Sequence, residues 1–216
     1  LRNLAAQSIV ALEVYATAGA RSGRSSVQTV GTPAEPALQP GATYELPIHI
    51  SQGGRTTPEG FVPDTHQQTV TVGTVIFADG TYEGQARIAA QITARTRGEQ
   101  LQVARVLPLL QSVIDAPPAD APAALVKLKE QITTLRVDVD AAVLDELCAR
   151  FPELAGENER KLLTSEVMHG LKQGRSNAER LLEDLERVRA QKPDRFDVQT
   201  YMRAAKEQLG KRFGAH

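Results

Sequence analysis

The chain of 216 residues has no tryptophan, one cysteine and aromatic rings at only 4% of positions. A lone Cys148 excludes an internal disulfide and any multi-cysteine zinc site. With so few rings, a stacking platform for bases or sugars has little to be built from. No apolar run reaches the roughly 18 residues that a membrane-spanning helix needs. Charge of one sign is missing too: 25 Lys and Arg stand against 26 Asp and Glu, a formal net charge of -1. That balance removes the electrostatic case for a nucleic-acid partner. The first residue is Leu1, with no basic-then-apolar leader pattern after it. Removal of an export signal upstream and a trimmed start are both expected origins of such an end.

What is present falls into two unlike parts. Residues 1–80 hold 4 basic and 6 acidic groups, leaving 21 and 20 for residues 81–216. The charge-poor part carries Gly, Pro, Thr and Val in alternating patterns, and the charge-dense part carries Leu, Ala, Glu and Arg at helical spacing. The expected fold class is therefore α+β. A small antiparallel β-sandwich-like module over 1–83 precedes an all-α helical module over 84–216, whose first helix is expected to pack on the sheet.

Strands are predicted at three places. Ser8 to Thr17 alternates, with Val10, Leu12, Val14 and Ala16 on one side and Ile9, Ala11, Glu13 and Tyr15 on the other. Thr43 to Ser51 follows the Pro40-Gly41 turn signal and aligns Leu46, Ile48 and Ile50. Gln68 to Ala78 sets Val70, Val72, Thr74 and Ile76 against Thr71, Gly73, Val75 and Phe77, apolar on both sides as a central strand would be. The Gly-, Ser- and Pro-rich stretches 19–40 and 52–67 read as loops, with a short strand at Val27 to Val30.

Helices are expected from Gly84 onward. The first carries Ile88, Ile92, Leu101, Ala104, Leu107 and Leu110, with a weak point at Arg97-Gly98, a kink at Pro108 and an end at the prolines after Asp115. A second runs from Ala123 to Leu135, and Asp138 or Asp140 caps a third that Phe151-Pro152 closes. Glu157 to Lys172 is expected to stop near Gly174, where Ser176 and Glu179 have capping-box spacing for a new helix. A last helix aligns Val198, Met202, Ala205, Leu209 and Phe213.

No complete catalytic constellation appears. There is no Gly-x-Ser-x-Gly, and Ser176 is explained better as a helix cap. Cys148 lies inside an amphipathic helix, where a thiol packs as a small hydrophobe. The four histidines, His49, His66, His169 and His216, are scattered. Glu166 with His169 is half of a di-iron bundle motif that has no second copy, and Asp138-Val-Asp140 lacks the remaining positions of a calcium loop. No metal and no cofactor are expected. Gly19 to Ser26 is basic and hydroxyl-rich after a strand, but lacks the Gly-Lys-Ser/Thr ending of a phosphate loop. The arginines of the tail alternate with glutamates as i,i+4 surface pairs do, which weakens a nucleic-acid reading further.

The most distinctive stretch is Val75-Ile-Phe-Ala-Asp79-Gly80-Thr-Tyr-Glu83-Gly84, a tight Asp-Gly turn followed by a redirecting Glu-Gly. It resembles a set of bacterial proteins without an assigned activity that pair an immunoglobulin-like sheet with a helical tail through a Val-x-Phe-x-Asp-Gly-x-x-Glu-Gly junction. Residues 75–84 match that pattern in full, Gln7-Ser8-Ile9 and Pro40-Gly41 resemble its early strand and turn loosely, and the tail agrees only in being helical. The resemblance implies an architecture and a place outside the cytoplasm, in the periplasm or envelope, and supplies no activity. The leading expectation is a non-catalytic structural or protein-interaction module, its partner another protein. The rival is an enzyme of unfamiliar type, with Asp79 and Glu83 as acid and base beside the Arg21 to Ser26 loop. That rival requires those groups to converge in a concave pocket.

Overall fold

The computed structural model describes residues 1–18, 25–32, 35–46, 54–63, 68–191 and 196–213. It is mixed α+β. The strands are β1 (Ile9–Ala18), β2 (Ser25–Val30), β3 (Gly54–Thr57), β4 (Gly60–Pro63), β5 (Gln68–Phe77) and β6 (Tyr82–Glu83). The helices are α1 (Ala86–Ile114), α2 (Ala121–Thr133), α3 (Ala141–Arg150), α4 (Glu157–Gln191) and α5 (Val198–Phe213), with one 3₁₀ turn at Pro152–Leu154. The chain divides into two compact units, Leu1–Ala89 and Ala90–His216.

In the first unit an antiparallel sheet runs in the order β2-β1-β5-β6. Two bulges decide which side chains share a face. Ile9 pairs with Phe77 and Ala11 with Ile76, so Val10 is extra on β1. Glu13 pairs with Thr74 and Val14 with Val72, so Gly73 is extra on β5. One extra residue on each strand restores the register while reversing the alternation on either side of it. Ile9 thus joins Leu12 and Val14 in the core, with Val75 and Phe77 packed against them, and Val72 lies on that side opposite Val14. This corrects the uninterrupted alternation, which places Ile9 with Glu13 and Val72 with Thr74.

Residues 1–9 run beside 38–44 in place of the strand predicted from Thr43. The buried Asn3 donates its amide to the carbonyls of Gln7 (2.9 Å) and Leu38 (3.2 Å), and its Oδ1 accepts from the Ala5 amide. Thr43 makes only an isolated bridge to Arg2, and residues 44–46 are in no strand. Their side chains still serve the core, because Tyr44 and Leu46 pack on the Leu12 cluster. The rest of that predicted strand, 47–51, lies outside the described residues. The stretch read as loop over 52–67 contains the β3–β4 hairpin, which turns at Gly60 with φ 128°.

The second unit is helical. Its core gathers Val106, Leu110 and Val113 of α1, Leu125, Leu128 and Ile132 of α2, Ala178, Leu182 and Leu185 of α4, and Met202 of α5. Below that core α1 and α4 run side by side in the same direction, with Arg95 to Glu99 against Val167 to Leu171 and Gln102 against Gly174. A β-carbon on Gly98 would lie 2.1 Å from the Val167 carbonyl oxygen, and one on Gly170 would lie 2.0 Å from that of Arg95. Hydrogen at these positions is what lets the two backbones touch. The same contact corrects two expectations. Arg97-Gly98 does not interrupt α1, and Gly174 does not end a helix, since α4 is continuous from Glu157 to Gln191. Ser176 and Glu179 are therefore mid-helix residues and no capping box forms there. Asp140 does cap α3, accepting from the Ala142 amide at 3.0 Å.

Candidate functional site

The Asp79 turn is built by its own side chain. The Gly80 amide donates to the Phe77 carbonyl at 2.9 Å, and Gly80 takes φ 86°, where a side chain would be strained. Asp79 Oδ1 accepts from the Thr81 amide (2.9 Å) and from Thr81 Oγ1 (2.7 Å). These bonds to Thr81 favour the ionised carboxylate and hold the Asp79 pKa below the ordinary value. Asp79 is exposed, and its bonded oxygen is already occupied by the turn.

Glu83 lies on β6 opposite Val75. It borders a cavity of ≈ 210 Å³ in the first unit, walled by residues including Leu1, Arg2, Leu12, Leu38 and Val72. Asp79 is not among the residues lining that cavity. The two carboxylates are thus set in different surroundings, one tied into a turn and one at the edge of an apolar hollow. Beyond Glu83, Gly84 with φ 102° brings the chain back so closely that a β-carbon would lie 2.1 Å from the Gly73 carbonyl oxygen. Residues 19–24 of the third expected component are outside the described residues, and Ser25 and Ser26 belong to β2.

The other candidates have structural surroundings. Glu166 receives both Nε (3.1 Å) and Nη2 (2.7 Å) of Arg95 on Oε2, with Gln91 donating to Oε1, so it links α4 to α1. His169 is exposed on the same helix, while His49, His66 and His216 lie outside the described residues. Among the described residues no group of three His, Cys, Asp or Glu is placed to hold a metal ion. Cys148 is half-buried rather than in the core, and Arg160 brings Nη1 within 3.9 Å of its sulfur while pairing with Asp145. Asp138 pairs with Arg136, which lowers the Asp138 pKa.

One concavity is a feature that sequence reasoning missed. In the helical unit, the Ala104 to Ile114 stretch of α1 and the Arg203 to Lys211 stretch of α5 border an open groove of ≈ 870 Å³. Ala104, Leu107, Pro108 and Ile114 give it an apolar side, and Gly210 contributes backbone alone. Pro108 has no N–H to offer the Ala104 carbonyl, so the helix ladder lacks one bond at the groove. Arg203, Lys206, Glu207 and Lys211 form the other side. Lys211 engages Glu207 at 2.5 Å and lowers its pKa, and Lys206 donates to Gln111 Oε1 at 2.5 Å across the groove. Neither Arg203 nor Lys206 has a carboxylate in ion-pairing range among the described residues. The stripe read from the sequence includes Ala104 and Leu107, which the structure leaves exposed and half-buried, while Val103, Val106, Leu110 and Val113 are the buried residues of this stretch.

No family model, curated protein or solved structure matches this chain. No helix among the described residues is long and apolar enough to cross a membrane.

Proposed function

We propose that the chain is a non-catalytic protein-interaction module that docks its partner on the helical unit. The observation carrying this reading is the α1–α5 groove, an apolar wall facing Arg203 and Lys206, neither of which forms a salt bridge within 4.0 Å among the described residues. Concavities of that size and lining are where binding energy is most readily gained, through apolar burial at the centre and oriented charge at the rim. The catalytic alternative at Asp79 and Glu83 gains no support from the arrangement, since the Asp79 oxygen is engaged by Thr81 and only Glu83 borders the small cavity. In this reading the first unit is a sandwich-like structural module of the bacterial envelope, a placement supported by the likeness of residues 75–84 to exported junction motifs.

A photo-crosslinking residue at Leu107, installed in the chain in its native cells, tests the docking surface. A discrete protein adduct should form there and be absent with the crosslinker at the exposed Arg189 of α4. Equal adducts at both positions, or none at Leu107, would contradict the proposal. Cell fractionation checks the compartment: recovery of the chain with cytoplasmic markers would remove the envelope from the account.

A further inference from the structure

We infer that the groove between α1 and α5 takes one amphipathic helix from an acidic protein segment. The inference rests on the docking reading and names the chemistry of the occupant. Length comes first. From Ala104 to Ile114 the wall of α1 covers ten residue steps, about 15 Å at the helical rise, which matches a partner helix of roughly three turns. The shape agrees, because Ala104, Leu107, Pro108 and Ile114 present small and branched side chains along an open trough, suited to anchors at i, i+3, i+4 and i+7.

Charge decides the sign of the occupant. Glu207 is neutralised by Lys211, so Arg203 and Lys206 leave the rim two positive charges in excess. Asp197 does not line the groove; it stays ionised while accepting from Thr200 and the Gln199 amide and offsets part of the Arg203 charge from outside, so the groove's own lining remains net positive with Lys206 as its main contributor. A helix with Asp or Glu flanking its apolar stripe would place carboxylates on Arg203 and Lys206. A basic helix would set like charges together and be rejected.

The test uses the full chain and three synthetic 15-residue peptides in fluorescence anisotropy. One has Leu at i, i+3, i+4 and i+7 with Glu flanks, the second has Lys flanks, and the third is the acidic sequence scrambled. The acidic amphipathic peptide should bind, with roughly tenfold or greater preference over the other two, and weaken several-fold as salt screens the rim. R203E/K206E should lose that preference and instead favour the Lys-flanked peptide, a reversal that misfolding cannot produce. Equal binding of all three peptides, or unchanged selectivity in R203E/K206E, would overturn the inference. So would a groove filled by a second copy, seen as dimerisation abolished by L107E, or binding to vesicles of anionic lipid that the same charge reversal removes while the peptide stays unbound. A Leu107 adduct in cells combined with failure of the acidic peptide would leave the docking surface standing and refute only its acidic occupant.

Discussion

Replacing Gly170 by alanine tests the packing that organises the helical unit. In isolation the substitution favours a helix by about 1 kcal/mol, because alanine loses less backbone freedom than glycine. In this fold the added β-carbon would meet the Arg95 carbonyl oxygen at 2.0 Å and the Glu99 amide nitrogen at 2.9 Å. Both are main-chain atoms of α1, so no rotamer change relieves the clash, and the axes must separate by about 1.5 Å to restore contact distance. Separation of that size weakens the Arg95–Glu166 link and loosens the Val106 and Leu110 layer beyond it. Overpacking costs about 1–3 kcal/mol where side chains yield, and a backbone collision belongs at or above the top of that range. After the propensity gain, a net loss of about 2 kcal/mol is expected. Urea unfolding followed by far-ultraviolet circular dichroism reads the helical transition, with Lys172→Ala on the exposed face of α4 as the matched control. A G170A protein as stable as the K172A control would refute the backbone contact between α1 and α4.

Leu128→Ala removes a side chain with no exposed surface in the helical core and should cost about 2–5 kcal/mol, whereas Val126→Ala, 59% exposed on the same helix, should stay within about 0.5 kcal/mol in the same urea assay. Asp79 supplies a pH dependence whose sign follows from its bonds to Thr81. Its folded pKa is depressed, so its contribution is present above the unfolded-state value and is lost as pH falls through the folded value. Carbon NMR titration should find the Asp79 carboxyl midpoint below that of a free aspartate, and D79A should flatten the acid limb of the stability curve. A midpoint at or above the free value would contradict the Thr81 bonds.

Much of the fold was legible because its signals are local. Val14 and Val75 sit on strands defined by alternating β-branched residues, and Asp140 caps α3 through a bond two residues away. The failures share a cause, a distant partner overriding a local pattern. Gly174 resembles a helix end, yet Gln102 of α1 lies against it, with its Cβ 2.7 Å from where an alanine β-carbon would be. Val10 and Gly73 are ordinary strand positions until the register of β1 on β5 makes each of them extra. The β3–β4 hairpin is short and turns through Pro58-Glu59-Gly60 inside a stretch whose composition resembles a loop. At the site, the Asp79 turn could be read in advance. The groove could not, because Arg203 and Lys206 look like surface charges in a one-dimensional pattern and gain a common purpose only when α5 is set against Leu107 and Pro108.

Hydrogen exchange on the chain, alone and in complex with the protein trapped at Leu107, locates the docking surface. Partner binding should slow exchange in residues 104–114 of α1 and 203–211 of α5, with the β unit unchanged. Protection confined to β1, β5 or the Asp79 turn, or none on either helix, would contradict docking in the groove.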